Sequence, residues 1–180
     1  EIRKDALQVS TYIMQEVVAI ARRYPPYGRG TVGAVQVLPN SRNVIPGQVK
    51  FSIDLRNVSD ALLDSMNADL DAYIVKTRAA TGLAIELQRV SYFPPCPFHP
   101  ECVSQVREAA AMLGYATMDV VSGAGHDAIY AARVAPAGMI FVPCKDGVSH
   151  NEIEDARPEH LEAGANVLLH AMLASAVVVK

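Results

Sequence analysis

Apolar residues recur along this chain at two different periods, and the switches between them mark out its elements. From Asp5 to Tyr24 the apolar positions Val9, Ile13, Val17 and Ile20 return every three or four residues, with Gln8, Gln15, Glu16 and Arg22 mostly off that stripe, so the pattern predicts a helix. Pro25-Pro26-Tyr27-Gly28 stops it. Thr31 to Leu38 is a β-rich run that breaks at Pro39-Asn40, and Ser41-Arg42-Asn43 leads into Val44-Ile45-Pro46-Gly47, whose Pro-Gly signals a turn. From Gln48 to Asn57 the period drops to two. Val49, Phe51, Ile53 and Leu55 share one face of a strand, and Lys50, Ser52, Asp54 and Arg56 share the other. Ser59 is placed to cap a helix from Asp60 to about Ala80, with Leu63, Met66, Leu70, Tyr73 and Ile74 on its buried stripe and Gly82 as terminator. A strand from Leu83 to about Tyr92 follows.

Phe93 to Pro100 (FPPCPFHP) carries four prolines, which stiffen the backbone and forbid helix. This is the expected boundary between two compact units, residues 1–93 and 94–180. The first has the order helix, strand, strand, helix, strand. That is a ferredoxin-like β-α-β-β-α-β unit without its first strand, which would lie before Glu1 and whose loss leaves a sheet edge to be covered. The second unit is predicted to hold a helix from about Glu101 to Leu113 with Gly114 as stop, a strand near Ala116 to Val121, an apolar strand from Gly138 to Val142, and a last helix from Pro158. Leu161, Ala165, Leu168, Leu169, Met172 and Leu173 give that last helix a broad apolar face. The expected fold class is α/β, with an α+β first unit.

Composition narrows the function classes. The chain has 180 residues, 51% hydrophobic and 19% charged, which suits a globular protein with a real core. A net charge of −3 with no long basic run gives no reason to expect nucleic acid or an anionic membrane as a partner. No apolar run approaches the roughly 20 residues of a membrane span, and the opening residues do not read as a signal peptide. Cys96, Cys102 and Cys144 are odd in number and lack C-x-x-C spacing, which argues against a zinc ribbon or a disulfide scaffold and suits the cytoplasm.

Candidate chemistry concentrates between Val121 and Asn151. Ser122-Gly123-Ala124-Gly125 is a small-residue turn that delivers His126 and Asp127 to the start of a short helix. After the Gly138–Val142 run, Lys145-Asp146-Gly147-Val148-Ser149-His150-Asn151 forms a polar loop. Two loops at the ends of buried elements, each presenting a histidine, make an active-site wall in an α/β protein. The plainer alternative is a structural turn and a surface loop.

The combination SGAGHDA, then GMIFVPCKDGVSHNE, then the Pro-Glu start of the final helix resembles the amidohydrolase branch of the aminoacylase/carboxypeptidase-like dinuclear metallohydrolases. That branch holds N-carbamoyl-L-amino-acid hydrolases, β-ureidopropionases and allantoate amidohydrolases. NVIPG followed by Asp54-Leu55-Arg56 is similar to the lid domain of the same group, so the likeness runs along essentially the whole chain. The opening EIRKDA resembles the residues that follow the family's HAG-T-P-M segment, so the resemblance implies a start inside the lid. The resemblance therefore implies the C-terminal half of such an enzyme: residues 1–93 most of a lid and dimerisation domain, residues 94–180 the C-terminal part of the catalytic domain.

The roles that the resemblance implies fall on particular positions. His150, in SHN, would bind one of two divalent metal ions, Zn or Mn; a neutral imidazole suits either. Asn43 and Arg56 would grip the substrate carboxylate from the neighbouring subunit of a homodimer, and a guanidinium fork is the natural clamp for that group. Arg56 also has a plainer alternative, a surface salt bridge with Asp54, and Asn43 another as a turn former. Ser122, Gly123, Ala124 and Gly125 would line the substrate pocket with backbone groups, and His126, beside a buried Asp127, would be the catalytic residue. Asp127 either orients His126 or caps the short helix. The remaining metal ligands and the general-base carboxylate of the family have no counterpart here, and His99, His160 and His170 are poor substitutes. The Ser or Thr usual before the last helix is Arg157.

The implied activity is metal-dependent hydrolysis of a linear C–N bond in a carbamoyl or ureido compound, with this chain inactive by itself. An aminoacylase or peptidase of the same clan is the nearest alternative, and a non-catalytic dimerising or binding module the more distant one.

Overall fold

A computed structural model describes residues 3–176 of the chain. Contacts divide it into two compact units that meet at Pro95 and Cys96, inside the proline-rich segment.

The first unit is a helix pair laid on a two-stranded antiparallel sheet: α1 (Ala6–Arg23), β1 (Arg29–Leu38), β2 (Gln48–Arg56) and α2 (Asp60–Thr81). Local chemistry fixes its helix ends. The Asp5 carboxylate accepts from the Gln8 N–H at 3.0 Å to start α1, and the Ser59 hydroxyl does the same for α2 with Leu62. Gly82, in left-handed conformation at φ 63°, closes α2. The expected stripes form the core: Ile13, Val17 and Ile20 of α1 meet Met66, Leu70 and Ile74 of α2, with Phe51, Ile53 and Leu55 of β2 half-buried beneath. Tyr73, expected on that stripe, packs at its margin. At Gly30 a side chain would stand 2.5 Å from the Val17 carbonyl oxygen, so glycine is what lets β1 lie against α1.

Strand pairing starts at Arg29↔Arg56 and ends at Leu38↔Gln48. Between Val32↔Ile53 and Val35↔Phe51 the register slips, so Gly33 and Ala34 face Ser52 across a bulge. The Ser52 hydroxyl accepts from the displaced Ala34 N–H at 3.1 Å.

The second unit pairs α3 (Pro100–Met112) with α5 (Pro158–Ser175) around Ala109, Ala110, Val167 and Ala171, with Val106, Leu113 and Ile140 against them. A four-residue helix, α4 (Ala128–Ala131), and a 3-10 turn at Lys145–Gly147 lie between. Small residues let the two long helices approach closely. Arg157 supplies no side-chain cap to α5, and Pro158 takes the first helical position instead.

Three expected strands are absent. The segments Leu83–Tyr92, Ala116–Val121 and Gly138–Val142 have strand-like composition, but among the described residues the sole sheet is β1–β2. A strand exists through its ladder, and the neighbouring segments supply none. Leu83 and Ile85 still alternate inward with Ala84 and Glu86 outward, and Ile85 packs on the first core. Residues 116–121 are exposed throughout, Met118 by 80%. The predicted apolar face of the last helix is likewise not its buried face: Leu161, Leu168, Leu169, Met172 and Leu173 are all exposed by half or more, while Val167 and Ala171 turn inward. A stripe of leucines fixes which side of a helix is apolar, not whether a partner covers it.

Candidate functional site

In the first unit, Arg56 ends β2 on its outward face. Its Nε donates to Asp54 Oδ1 at 2.8 Å and its Nη2 to Asp54 Oδ2 at 2.7 Å. Residues two apart on a strand share a face, which is why the two side chains meet. Both are about half exposed. The hydrogen bonds from Arg56 hold the Asp54 carboxyl below its usual range, and the same bonds raise Arg56. Across the ladder Arg29 faces Arg56, and its Nη1 turns away to donate to the carbonyls of Pro26 and Gly28.

Asn43 lies in the loop that closes the other end of the hairpin, beyond Leu38 and Gln48. Its Oδ1 accepts from the Ser41 hydroxyl at 3.1 Å, and its surroundings are exposed. The Pro46 carbonyl takes the Ala6 N–H, tying this loop to the start of α1. The eight steps of β2 from Gln48 to Arg56 rise roughly 27 Å at about 3.4 Å each. Asn43 and Arg56 are therefore not brought together within one chain.

In the second unit, the Ser122 hydroxyl folds the small-residue turn on itself, accepting from the Ala124 N–H and donating to the Ala124 carbonyl at 2.7 Å. Gly123 and Gly125 have nothing within 4 Å of where a side chain would stand. His126 Nδ1 accepts from the Ala128 N–H at 3.0 Å and its carbonyl accepts from Ile129. With Nδ1 accepting, Nε2 is left as the ring's N–H donor. The expected buried His-Asp pair is not present: both residues are exposed, and Asp127 gives α4 no side-chain cap. His126 performs the capping instead, because its ring nitrogen reaches the orphan N–H two residues on.

His150 sits in the loop after the 3-10 turn with φ 56°, a left-handed conformation uncommon for a residue with a side chain. Its backbone N–H donates to Glu154 Oε2 at 2.7 Å, while its exposed imidazole makes no hydrogen bond among the described residues. An exposed, unengaged imidazole fits the part of one metal ligand. It does not make a site by itself: among the described residues no three His, Cys, Asp or Glu side chains converge, whereas a catalytic zinc takes three protein ligands. His99 lies at the Pro-rich segment, and the Nδ1 of His160 is buried without a partner in α5. Sequence reasoning passed over Glu154. The signal available was an acidic residue four positions after His150 in a loop too short to place it far away.

The helix pair over a small antiparallel sheet and the second, alanine-packed helix pair define a chain of the mixed α/β class in two units. The chain belongs to the peptidase family M20/M25/M40, whose pattern matches residues 9–174. Within it, the chain is 43% identical over 180 residues to the N-carbamoyl-L-amino-acid amidohydrolase of Rhizobium meliloti, covering 100% of this chain and 43% of that protein. It is 35% identical over 166 residues to the allantoate amidohydrolase of Bacillus subtilis, covering 92% of this chain and 40% of that one. An amidase of the hydantoinase/carbamoylase family from Burkholderia multivorans superimposes with a TM-score of 0.90 at 53% identity, covering 96% of this chain and 42% of that one. The expected family resemblance is thus borne out. The chain spans about two fifths of the length of the relatives it matches. No helix among the described residues is long and apolar enough to cross a membrane.

Proposed function

We propose that the protein containing this chain is a metal-dependent amidohydrolase that cleaves a linear C–N bond in a carbamoyl or ureido compound bearing a carboxylate. The observation that carries this reading is Arg56: its guanidinium fork already grips a carboxylate in parallel two-point geometry, in a chain 43% identical along its whole length to an N-carbamoyl-L-amino-acid amidohydrolase. The first unit is read as a lid and dimerisation domain, the second as the C-terminal part of a catalytic domain.

Each residue of the chain then has a task. Arg56 orients the substrate through its carboxylate, exchanging Asp54 for it. The small-residue turn at Ser122, Gly123, Ala124 and Gly125 lines the pocket for the ureido group. His126, with Nε2–H as its donor, stabilises charge on the carbonyl oxygen under attack. His150 would contribute one ligand to a pair of divalent ions, zinc or manganese, which need further ligands beyond those that converge among the described residues. Such ions, when bound, polarise the carbonyl and lower the pKa of a bound water.

Asn43 shares the carboxylate only if the protein is dimeric. Since Asn43 and Arg56 stand at opposite ends of one hairpin, a small substrate held by both takes Arg56 from one copy and Asn43 from another. A two-stranded sheet with unpaired edges and exposed Val35 and Leu38 on β1 supports self-association through this unit.

The test is turnover by the whole protein. Purified with zinc or manganese, it is expected to release ammonia from N-carbamoyl amino acids or allantoate and to lose that activity on chelation. Turnover of N-acyl amino acids or dipeptides with none of ureido acids would overturn the reading.

A further inference from the structure

The loop that carries His150 is organised around a single carboxylate. Its neck is closed by the Lys145 N–H donating to the Asp155 carbonyl at 2.7 Å. Inside that neck, the Glu154 N–H donates to the Asn151 carbonyl at 2.9 Å, and the Ile153 N–H to Asn151 Oδ1 at 3.2 Å. These turns bring the Glu154 side chain back across the loop, where Oε2 accepts from the His150 N–H at 2.7 Å and Oε1 stands 3.9 Å from Cys144 Sγ. One carboxylate thus spans both sides of the loop.

The backbone of His150 explains what that contact does. At φ 56° the residue sits where a side chain clashes with its own backbone, and such a conformation persists only when surrounding bonds over-determine it. The accepting oxygen of Glu154 is the bond aimed at His150 itself. Without it, nothing among the described residues takes that N–H, and rotation to negative φ would swing the Cα–Cβ direction and carry the imidazole elsewhere.

We propose that Glu154 is a positioning residue for His150. It holds the histidine backbone in the left-handed conformation that sets the direction of the imidazole, and it does so as a hydrogen-bond acceptor. The proposal rests on the reading of His150 as a metal ligand.

The experiment compares Glu154→Ala, Glu154→Gln and His150→Ala in the full-length protein, measuring zinc affinity, hydrogen exchange at the His150 amide in the metal-free form, and thermal unfolding. Glu154→Ala is expected to weaken zinc binding about 10- to 100-fold, as loss of a group supporting a ligand does, and to expose the His150 amide to exchange. Glu154→Gln keeps an accepting oxygen and is expected to stay within a few fold of the unsubstituted protein in both readouts. Equal loss in Glu154→Gln and Glu154→Ala would overturn the proposal, as would unchanged affinity and unchanged amide exchange in Glu154→Ala. Where Glu154→Ala does not fold, Glu154→Gln decides: a protected His150 amide with zinc bound sustains the proposal, and an unprotected one overturns it. His150→Ala separates this from the reading beneath it. Full zinc content there overturns the ligand assignment and the proposal with it; lost zinc there beside undiminished affinity in Glu154→Ala overturns the positioning role alone.

Discussion

Asp54 and Arg56 stand two residues apart on the outward face of β2, joined by two parallel hydrogen bonds at 2.8 and 2.7 Å. The fork is therefore already planar and aimed when the chain is at rest, with Asp54 in the place that the proposed function gives to a substrate carboxylate. Arg29 lies opposite Arg56 in the ladder but turns its guanidinium to the Pro26 and Gly28 carbonyls, so Asp54 pairs with Arg56.

In the whole enzyme, Arg56→Ala is expected to raise the Michaelis constant for a carboxylate-bearing substrate and leave metal content unchanged. Loss of a charge-assisted two-point contact costs on the order of 2–4 kcal/mol, roughly thirty- to a thousand-fold in kcat/KM. Arg56→Lys should recover little, since an ammonium cannot reproduce the fork. Steady-state kinetics with metal analysis checks this, and normal kinetics in Arg56→Ala would remove Arg56 from the clamp.

The same pair has a pH signature. Arg56 lowers the Asp54 carboxyl below its unfolded value, so its contribution to stability is complete above the ordinary Asp range near pH ~4 and is lost as pH falls through the lowered folded value. With both groups half exposed, the contribution is at most about 1 kcal/mol. Denaturation midpoints of the unsubstituted chain and Asp54→Asn should differ near neutral pH and converge as the pH falls through the lowered folded value of Asp54.

Subunit mixing tests the division of the clamp between copies. Arg56→Ala and Asn43→Ala homodimers should each be weak. Equal amounts, dissociated and reassociated, should regain about a quarter of full activity, because half the dimers are mixed and each mixed dimer has one intact site. Absence of any recovery in dimers shown to have exchanged would place both residues at separate tasks.

Ile20 and Met66 are fully buried where α1 crosses α2. Ile20→Ala is expected to destabilise the first unit by about 2–5 kcal/mol, through lost burial plus the cavity left behind. Urea unfolding monitored by circular dichroism reads that loss directly.

The helices of this chain were legible because their determinants are local. Asp5, Ser59 and Gly82 sit at the ends the sequence assigns them, and the stripes through Val17 and Leu70 do point inward. The strands split by the same criterion. β2 alternates cleanly and finds β1 through a short connection, whereas Ala116–Val121 and Gly138–Val142 have the composition of strands and no ladder among the described residues. Pairing is a property of two segments, and no reading of one of them supplies it. At the candidate site, the sequence located the two histidine loops but not their internal bonds. It left Asp127 open between orienting His126 and capping the short helix, where the His126 ring performs the capping, and left Glu154 unremarked although its carboxylate spans the loop. Those bonds depend on backbone angles, φ 56° at His150 above all, that no residue identity there announces.

The hairpin between Asn43 and Arg56 also acts as a gauge. Its paired length sets the span between the two proposed grips, and with it the spacing of the two active centres in the proposed dimer. Because side chains alternate with period two, removing two facing residues from each strand would preserve every inward and outward position while shortening the span by about 7 Å. Removing one from each would turn Arg56 toward the core at once. Over the life of such a fold, this hairpin can be retuned for another substrate only in even steps.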